Sequence, residues 1–295
     1  MRYFLLIPHL KLHNANAMSS PYTIGFPAMT AWLGAVHALQ RKLQAKALDV
    51  ALTKVAVSCH EFNLQTYKGQ GDFVHSIIGT ANPLDKDGSR PAFIEEARCH
   101  LEVSLLIEIE NLSIKKREQL LEMVPDLVSS MKFASGDVLA IKKCQIIDFD
   151  EEESQDKELR PILNKLMLGH VLIERRDLII ESMKQDKDAL DSVLDYLKVT
   201  HSSTVDEQHN KVTWISKRKA QGWLIPIAVG FQGISELGRA KNQRDANTPH
   251  RFAESVLTLG EFVMPYRIEH IDQLLWKYHF DSDNNLYLCQ NISTT

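Results

Sequence analysis

An α+β fold is what this sequence predicts, on three observations. Apolar residues recur at helical spacing in two stretches, 29–43 and 120–131. Residues 99–110 alternate between apolar and polar, which is the period of a strand. The elements also interleave, because residues 1–148 run strand, helix, strand, strand, helix, strand, which is the ferredoxin-like order.

The first strand, 3–12, is an apolar run too short to span a membrane, and it lacks the small-residue cleavage site of a signal peptide. It reads as buried. The helix after it presents Met29, Trp32, Leu33, Val36, Leu39 and Leu43 on one face, with Pro27 placed to open it. Residues 50–67 are β-leaning. In 99–110, Leu101, Val103, Leu105, Ile107 and Ile109 point one way while His100, Glu102, Ser104 and Glu108 point the other, predicting a half-buried strand. The second helix carries Leu120, Leu121, Val124, Leu127, Val128 and Met131, and Pro125 inside it is expected to kink or divide it. Residues 138–149 supply a further strand. Between the second and third strands, about 68–97 form an insertion of a length usually kept for function.

From 148 to 158 the chain holds seven acidic residues and one lysine, the composition of a solvated linker. A boundary is therefore expected there, separating a first domain, 1–148, from an acidic linker and helical module, 149–210. The module combines an apolar run at 167–173 with helical patterning at Leu178, Ile179, Met183, Leu190, Val193, Leu194 and Leu197, and 202–210 is polar and turn-like. A third part, 211–295, is expected to pack back on the first. It holds a glycine-rich strand in a basic setting, a helix starting at Thr248-Pro249, and a final amphipathic helix over 268–279 through Ile268, Ile271, Leu274, Leu275 and Tyr278.

Hydrophobic residues at 44% and charged residues at 24% describe an ordinary soluble protein, and a formal charge of −4 carries no global nucleic-acid signature. Any polyanion site must be local. Cys59, Cys99, Cys144 and Cys289 are widely spaced without a CxxC pair, so free thiols in a cytoplasmic protein are expected, with no metal and no cofactor. No GxxxxGK[ST], no GxGxxG after a strand and no HExxH occurs, which leaves nucleotide hydrolysis, dinucleotide chemistry and metalloprotease activity unsupported.

The run Asn14-Ala15-Asn16-Ala17-Met18-Ser19-Ser20-Pro21-Tyr22-Thr23-Ile24-Gly25-Phe26-Pro27 lies between the first strand and the first helix. Its backbone N–H groups, amides and hydroxyls suit a phosphate or an unpaired base, which makes Asn14, Asn16, Ser19, Ser20, Thr23 and Phe26 candidate binding residues. Plain turn and capping chemistry is the alternative. On the following helix, His37 shares a face with Thr30, Gly34 and Arg41, opposite Trp32 and Leu33, so His37 and Arg41 can meet a ligand from the loop side. A packed or hydrogen-bonded histidine is the alternative there.

Residues 211–251 hold eight basic residues against Glu236 and Asp245. Lys217, Lys219, Arg244 and Arg251 are candidate phosphate contacts. The same stretch contains Gly222-Trp223-Leu224-Ile225-Pro226-Ile227-Ala228-Val229-Gly230-Phe231-Gln232-Gly233, where Trp223, Phe231 and Gln232 are placed to meet bases. A basic flank with interleaved aromatics suits single-stranded nucleic acid, although both aromatics also fit a core. His60 and His100 fall on neighbouring predicted strands, but nothing in their spacing pairs either with the Lys or Tyr that a metal-independent ribonuclease needs. Glu95 and Glu96 are adjacent and so point apart, which argues against one shared acid–base site and for anchoring of Arg98 or a partner.

In combination, Asn14-Ala-Asn-Ala-Met-Ser-Ser-Pro, Gly25-Phe26-Pro27, Gly34, Val36-His37-Ala38-Leu39-Gln40-Arg41, Asn82-Pro83-Leu84, Asp87-Gly88-Ser89, Glu95-Glu96, Arg98, His100-Leu101-Glu102-Val103-Ser104-Leu105-Leu106, Gly222-Trp223-Leu224, Pro226-Ile227, Gly230, Arg244-Asp245, Thr248-Pro249, Arg251-Phe252, Leu259-Gly260-Glu261 and Leu274-Leu275-Trp276 resemble the second subunit of type I-F CRISPR surveillance (Csy) complexes. That family belongs to the RAMP superfamily, in the Cas-five group. The matching motifs run from end to end, with none between 148 and about 212.

The resemblance implies a RAMP version of the ferredoxin-like, RRM-like fold and a non-catalytic CRISPR RNA-binding subunit. Such a subunit caps the 5′ handle of the guide RNA as a heterodimer with the large, PAM-reading subunit, and touches the first backbone subunit. It also supports recognition of target double-stranded DNA near the PAM, and involves no membrane. The third strand, 100–108, lacks the aromatic signature of RRM sheet faces, so loops and the glycine strand are expected to hold the RNA. Two alternatives stay open: a metal-independent RAMP endoribonuclease processing repeat RNA with His37, His60 or His100 as base, and a structural adaptor that touches no RNA.

Overall fold

The structure, a computed structural model, describes residues 1–78, 83–90, 96–150, 155–206, 211–243, 245 and 247–291. β1 (Arg2–Asn16) is longer than its apolar run, continuing through Asn14 to Asn16. Bulges after Ile7 and after Leu12 bend it, with His9 and Asn14 in left-handed backbone (φ 52° and 56°). The polar run expected as a loop is therefore the end of β1 followed by a hairpin, β2 (Met18–Ser20) and β3 (Thr23–Ile24).

α1 (Met29–Ala45) buries Met29, Trp32, Leu33, Val36, Leu39 and Leu43, as their spacing requires. Ala28 caps it without a side-chain bond, so Pro27 stands just before the cap rather than at the first helical position. Next come β4 (Ala51–Leu64), the two-residue pair β5 (Thr66–Tyr67) and β6 (Ser76–Ile77), and β7 (Arg98–Glu110). α2 (Ile114–Ser129), capped by the Ser113 hydroxyl, stays one helix with Pro125 inside it.

The single strand expected over 138–149 is divided. After β8 (Lys132–Phe133), β9 (Gly136–Ala140) pairs with β1 at Lys11, Leu12 and His13, while β10 (Gln145–Phe149) pairs with it from Arg2 to Leu6. The break falls where β1 bulges, and there the Lys142 N–H donates to the Pro8 carbonyl at 3.1 Å. Strand order in this half is β9 and β10, then β1, β7 and β4, all antiparallel.

The half-buried β7 of the sequence reading is covered on both faces from Val103 to Ile109. α1 and α2 bury Leu5, Ile7, Val55, Val57, Leu105 and Ile107 on one side. On the other, Phe4, Leu6, Ala56 and Leu106 meet Leu159, Ile162 and Leu163 of α3 (Gln155–Leu166), together with Ile268, Ile271, Leu274 and Leu275. Those last four sit at the spacing that predicted a final helix. No helix forms there: Ile271 opens a short 3₁₀ turn, Ile271–Gln273, that Leu274 ends, Ile268 ends another, Pro265–Arg267, and Leu275 follows, because one apolar face can be laid on a sheet by turns as well as by a helix.

The apolar run 167–173 becomes β11 (His170–Glu174), followed by α4 (Arg176–Met183) and α5 (Ala189–Leu197). Of the polar segment 202–210 expected as a turn, 202–206 belong to β12 (Thr200–Asp206), which pairs with β13 (Lys211–Lys217), and 207–210 lie outside the described residues. β14 (Trp223–Gly233), β15 (Ala253–Val263), β16 (Trp276–Asp281) and β17 (Leu286–Asn291) complete the chain. No helix starts at Thr248; its hydroxyl donates to Asp245 at 2.6 Å within a turn that leads into β15. The strands run β11, β15, β14, β17, β16, β4, and β11 also pairs with β4, so six strands close a ring beside the first sheet. Trp276, fully buried, ties the ring across by donating its indole N–H to the Leu172 carbonyl at 2.9 Å.

Glu174 in that ring accepts the Asn291 N–H at 3.1 Å, and burial pushes its carboxyl up to about 7. A carboxyl raised on folding contributes stability that is whole below its ordinary value and lost as pH rises through the folded value. Glu174→Gln, which keeps an acceptor and removes the charge, should therefore raise stability at pH 8 by on the order of 2 kcal/mol. At pH 5 it should change little. Thermal unfolding at the two pH values checks this; an equal effect at both would contradict it.

Candidate nucleic-acid interface

Five candidate residues, Asn16, Ser19, His37, Arg41 and Phe231, line one open groove of about 540 Å³. α1 supplies Thr30, Gly34, His37 and Arg41, which its periodicity turns away from the buried Trp32 and Leu33. Opposite stand Phe231, Tyr278 and Tyr287 from β14, β16 and β17. The third side is the β8–β9 turn, where Ala134 and Ser135 both take left-handed backbone (φ 47° and 66°), as a two-residue hairpin loop with inward twist requires. The Asn16 N–H donates to the Ala134 carbonyl at 2.7 Å and so joins this turn to β1.

The aromatic side depends on a close approach. A Cβ on Gly230 would lie 2.0 Å from the Tyr287 carbonyl oxygen, so only glycine lets β14 run this near β17. The register that results sets Phe231 directly across from Tyr287. Tyr278 and Tyr287 pack with ring centroids 5.3 Å apart, and burial together with the bond to Tyr287 pushes the Tyr278 phenol up. Both phenols therefore stay protonated at neutral pH.

The hairpin beside the groove holds its own shape. Asn16 Oδ1 accepts the Met18 N–H at 3.0 Å, and its Nδ2 donates to the Met18 carbonyl. Thr23 Oγ1 bonds to Ser19 Oγ at 2.9 Å and to Ser20 Oγ at 2.8 Å, with Ser20 and Thr23 buried. Asn14 stands apart, its N–H donating to His100 Nδ1 at 3.1 Å. Across the hairpin, Phe26 and Trp223 belong to a second, aromatic chamber of about 330 Å³.

The basic stretch 211–251 does not gather at the groove, and in this the expectation of one local patch is corrected. Lys219 Nζ sits 4.2 Å above the Tyr196 ring, donates to Ser182 Oγ at 3.1 Å and lies 3.8 Å from Asp195, so it fastens the connection between β13 and β14 to α4 and α5. Lys217 ends the exposed β13. Arg251 bonds to Asn285 Oδ1 with its stem across Gly233, next to the exposed Gln232. Arg244 lies outside the described residues. Among the lining residues of the groove, Arg41 carries the positive charge.

The three histidines considered as bases occupy three places. His37 is in the groove. His60 stacks on His9 with centroids 4.4 Å apart and bonds to Ser104 Oγ at 2.7 Å; burial and the His9 charge push it down to about 4. His100 stacks on His13, also at 4.4 Å, and burial and His13 lower it too. Arg98 is ion-paired with Glu96, while Glu95 lies outside the described residues. Among the described residues, no group of three or more His, Cys, Asp or Glu is arranged for a metal, and no helix is long and apolar enough to cross a membrane. The four cysteines are free and buried, and burial raises each thiol, to about 12 at Cys59, Cys99 and Cys289 and about 11 at Cys144.

Sequence reasoning missed Tyr278 and Tyr287 as groove residues. Their signal was present, since Trp276-Lys-Tyr-His-Phe and Leu286-Tyr-Leu alternate on either side of Asp281-Ser-Asp-Asn-Asn, the pattern of a hairpin.

The sequence model of the family described as CRISPR-associated protein Csy2 matches residues 5–289. The chain is also similar to the CRISPR-associated protein Csy2 of Pseudomonas aeruginosa (strain UCBPP-PA14), 34% identical over 307 residues that cover 96% of this chain and 93% of that protein. The match takes in α1, the ring and the aromatic wall alike. This chain belongs to the Csy2 family of CRISPR-associated proteins, subunits of the type I-F Csy complex.

Proposed function

We propose that this chain grips the 5′ handle of a CRISPR guide RNA in the groove between α1 and the β14–β17–β16 wall, without cutting it. The observation that carries this reading is the wall itself: Phe231, Tyr278 and Tyr287 are half-exposed rings facing Arg41, His37 and Ser19 across one groove. Unpaired bases stack on such rings, and a cation opposite them meets the phosphates. The partners in this reading are the large PAM-reading subunit, as a heterodimer, and the first backbone subunit, with target double-stranded DNA arriving near the PAM.

The order β9/β10, β1, β7, β4, with α1 and α2 on one face, supports the ferredoxin-like RAMP reading of residues 1–148. The face that an RRM offers to RNA is filled here by α3 and by the turns around Ile268 and Ile271, which explains why recognition moves to the groove.

Arg41→Ala should weaken guide RNA binding and lower the slope of log affinity against log salt by about 0.7, the value for one phosphate contact on a single strand. A salt titration of the full chain with guide RNA checks it; an unchanged slope contradicts the contact. One observation favours a second reading, because His37 shares the groove with two tyrosines, as a metal-independent ribonuclease would require. Their protonated phenols suit binding better than base catalysis. Repeat RNA should stay intact with the purified chain, whereas cleavage abolished by His37→Ala would establish the ribonuclease.

A further inference from the structure

The aromatic chamber behind the β2–β3 hairpin has no role in the reading above. Phe26, which stacks on Trp32 at 5.6 Å, forms its floor, and Phe262 stands edge-on to it at 5.2 Å. Trp223 leans over Phe262 at 5.2 Å, and Phe62 lies 6.3 Å from Phe26. His60 and His170 complete the rim, His170 meeting Trp223 edge to face at 5.4 Å. Among the described residues, no Asp, Glu, Lys or Arg lines the chamber.

Two features limit the occupant. Trp223 is 53% exposed and Phe62 38% exposed, so the rings at the mouth leave apolar faces in water that a flat partner would cover. The uncharged lining excludes a phosphate or a charged side chain from the interior, while imidazole edges give it hydrogen-bonding groups at the rim. His60 is already turned to Ser104, and burial keeps it neutral, so it adds a dipole and no charge.

The chamber and the groove border the same hairpin. Ser19 of the hairpin borders the groove, and Ile24 and Gly25 of the same hairpin border the chamber. A strand crossing this short hairpin from the groove would meet the chamber mouth next.

We propose that this chamber receives one unstacked nucleobase of the guide RNA, seated between Trp223, Phe62 and Phe26, so that the hairpin separates a backbone-holding groove from a single-base pocket. This rests on the guide-binding reading.

The test is an abasic scan. Guide RNA carrying one abasic position at a time along its 5′ segment is titrated against the full chain and against Trp223→Ala and Phe62→Ala. Both side chains are partly exposed, and circular dichroism confirms that the variants fold. In the native chain one position should cost roughly 5- to 100-fold in affinity through lost stacking. Against either variant the penalty at that position should shrink towards that of its neighbours, the coupling expected of groups in contact. A flat scan, or a penalty that persists in both variants, overturns the pocket while leaving the groove standing. Loss of a partner subunit from the variants with no change in the scan assigns the chamber to a protein side chain and also overturns it. Failure of intact guide RNA to bind the native chain removes groove and pocket together.

Discussion

Replacing Glu108 with alanine is expected to destabilise the chain by about 3–5 kcal/mol, the cost of removing one partner from a buried ionic group. Glu108 is 6% exposed, and its carboxylate lies 2.5 Å from Arg2 Nε and 2.7 Å from Lys54 Nζ. Arg2 also bonds to both oxygens of Asp272, at 3.1 and 2.9 Å. The loss removes a carboxylate that two largely buried cations share. Asp272 belongs to the 3₁₀ turn that lays Ile271 and Leu274 on the second face of the first sheet, so the cluster fastens that cover down. Burial raises the Asp272 carboxyl, but Arg2 and Lys54 outweigh it and hold it below its ordinary 3.8. Its contribution is therefore present above 3.8 and lost as pH falls through the lower folded value. Urea unfolding of Glu108→Ala should show a lower midpoint with an unchanged slope. A midpoint equal to that of the native chain would contradict the role given to the cluster.

Removing the rings of the groove wall should have the largest effect on RNA. Phe231→Ala combined with Tyr287→Ala is expected to lower guide affinity by about 1–3 kcal/mol for each base that stacks on them. Both rings are partly exposed, at 44% and 40%, so the fold should persist. Gly230→Ala reaches the same end by another route, because its methyl group would collide with the Tyr287 carbonyl and force β14 away from β17. It should reduce stability as well as affinity, at the 1–3 kcal/mol typical of overpacking. Filter binding with guide RNA checks both. Native affinity in the double variant would dismiss the wall as a stacking surface.

How much of this was legible in the sequence differs by element. The burial of α1 followed from the positions of Met29, Trp32, Leu33, Val36, Leu39 and Leu43, since local periodicity needs no knowledge of the partner. The segment 268–279 misled because Ile268, Ile271, Leu274 and Leu275 have helical spacing, whereas the sheet face they cover is set by distant strands. β7 alternated as a half-buried strand should, but the cover over Leu106 arrives from α3 and the C-terminal turns, far along the chain.

The same limit governs the groove. His37 and Arg41 were legible as one helix face. Their meeting with Phe231, Tyr278 and Tyr287 depends on strand pairings between β14, β17, β16 and β4, which composition does not encode. The basic stretch erred in the opposite sense. Of the cations close together in sequence, Lys211 and Lys217 stand at the two ends of β13, Lys219 is drawn onto Tyr196 of α5, and Arg251 is bonded to Asn285.

Ultraviolet crosslinking of guide RNA to the full chain in its assembled complex, read out by peptide mass spectrometry, tests the account most directly. Adducts are predicted on α1 around His37 and Arg41, and on β14, β16 and β17 at Phe231, Tyr278 and Tyr287. Adducts confined to surfaces outside the groove and the hairpin beside it would contradict it.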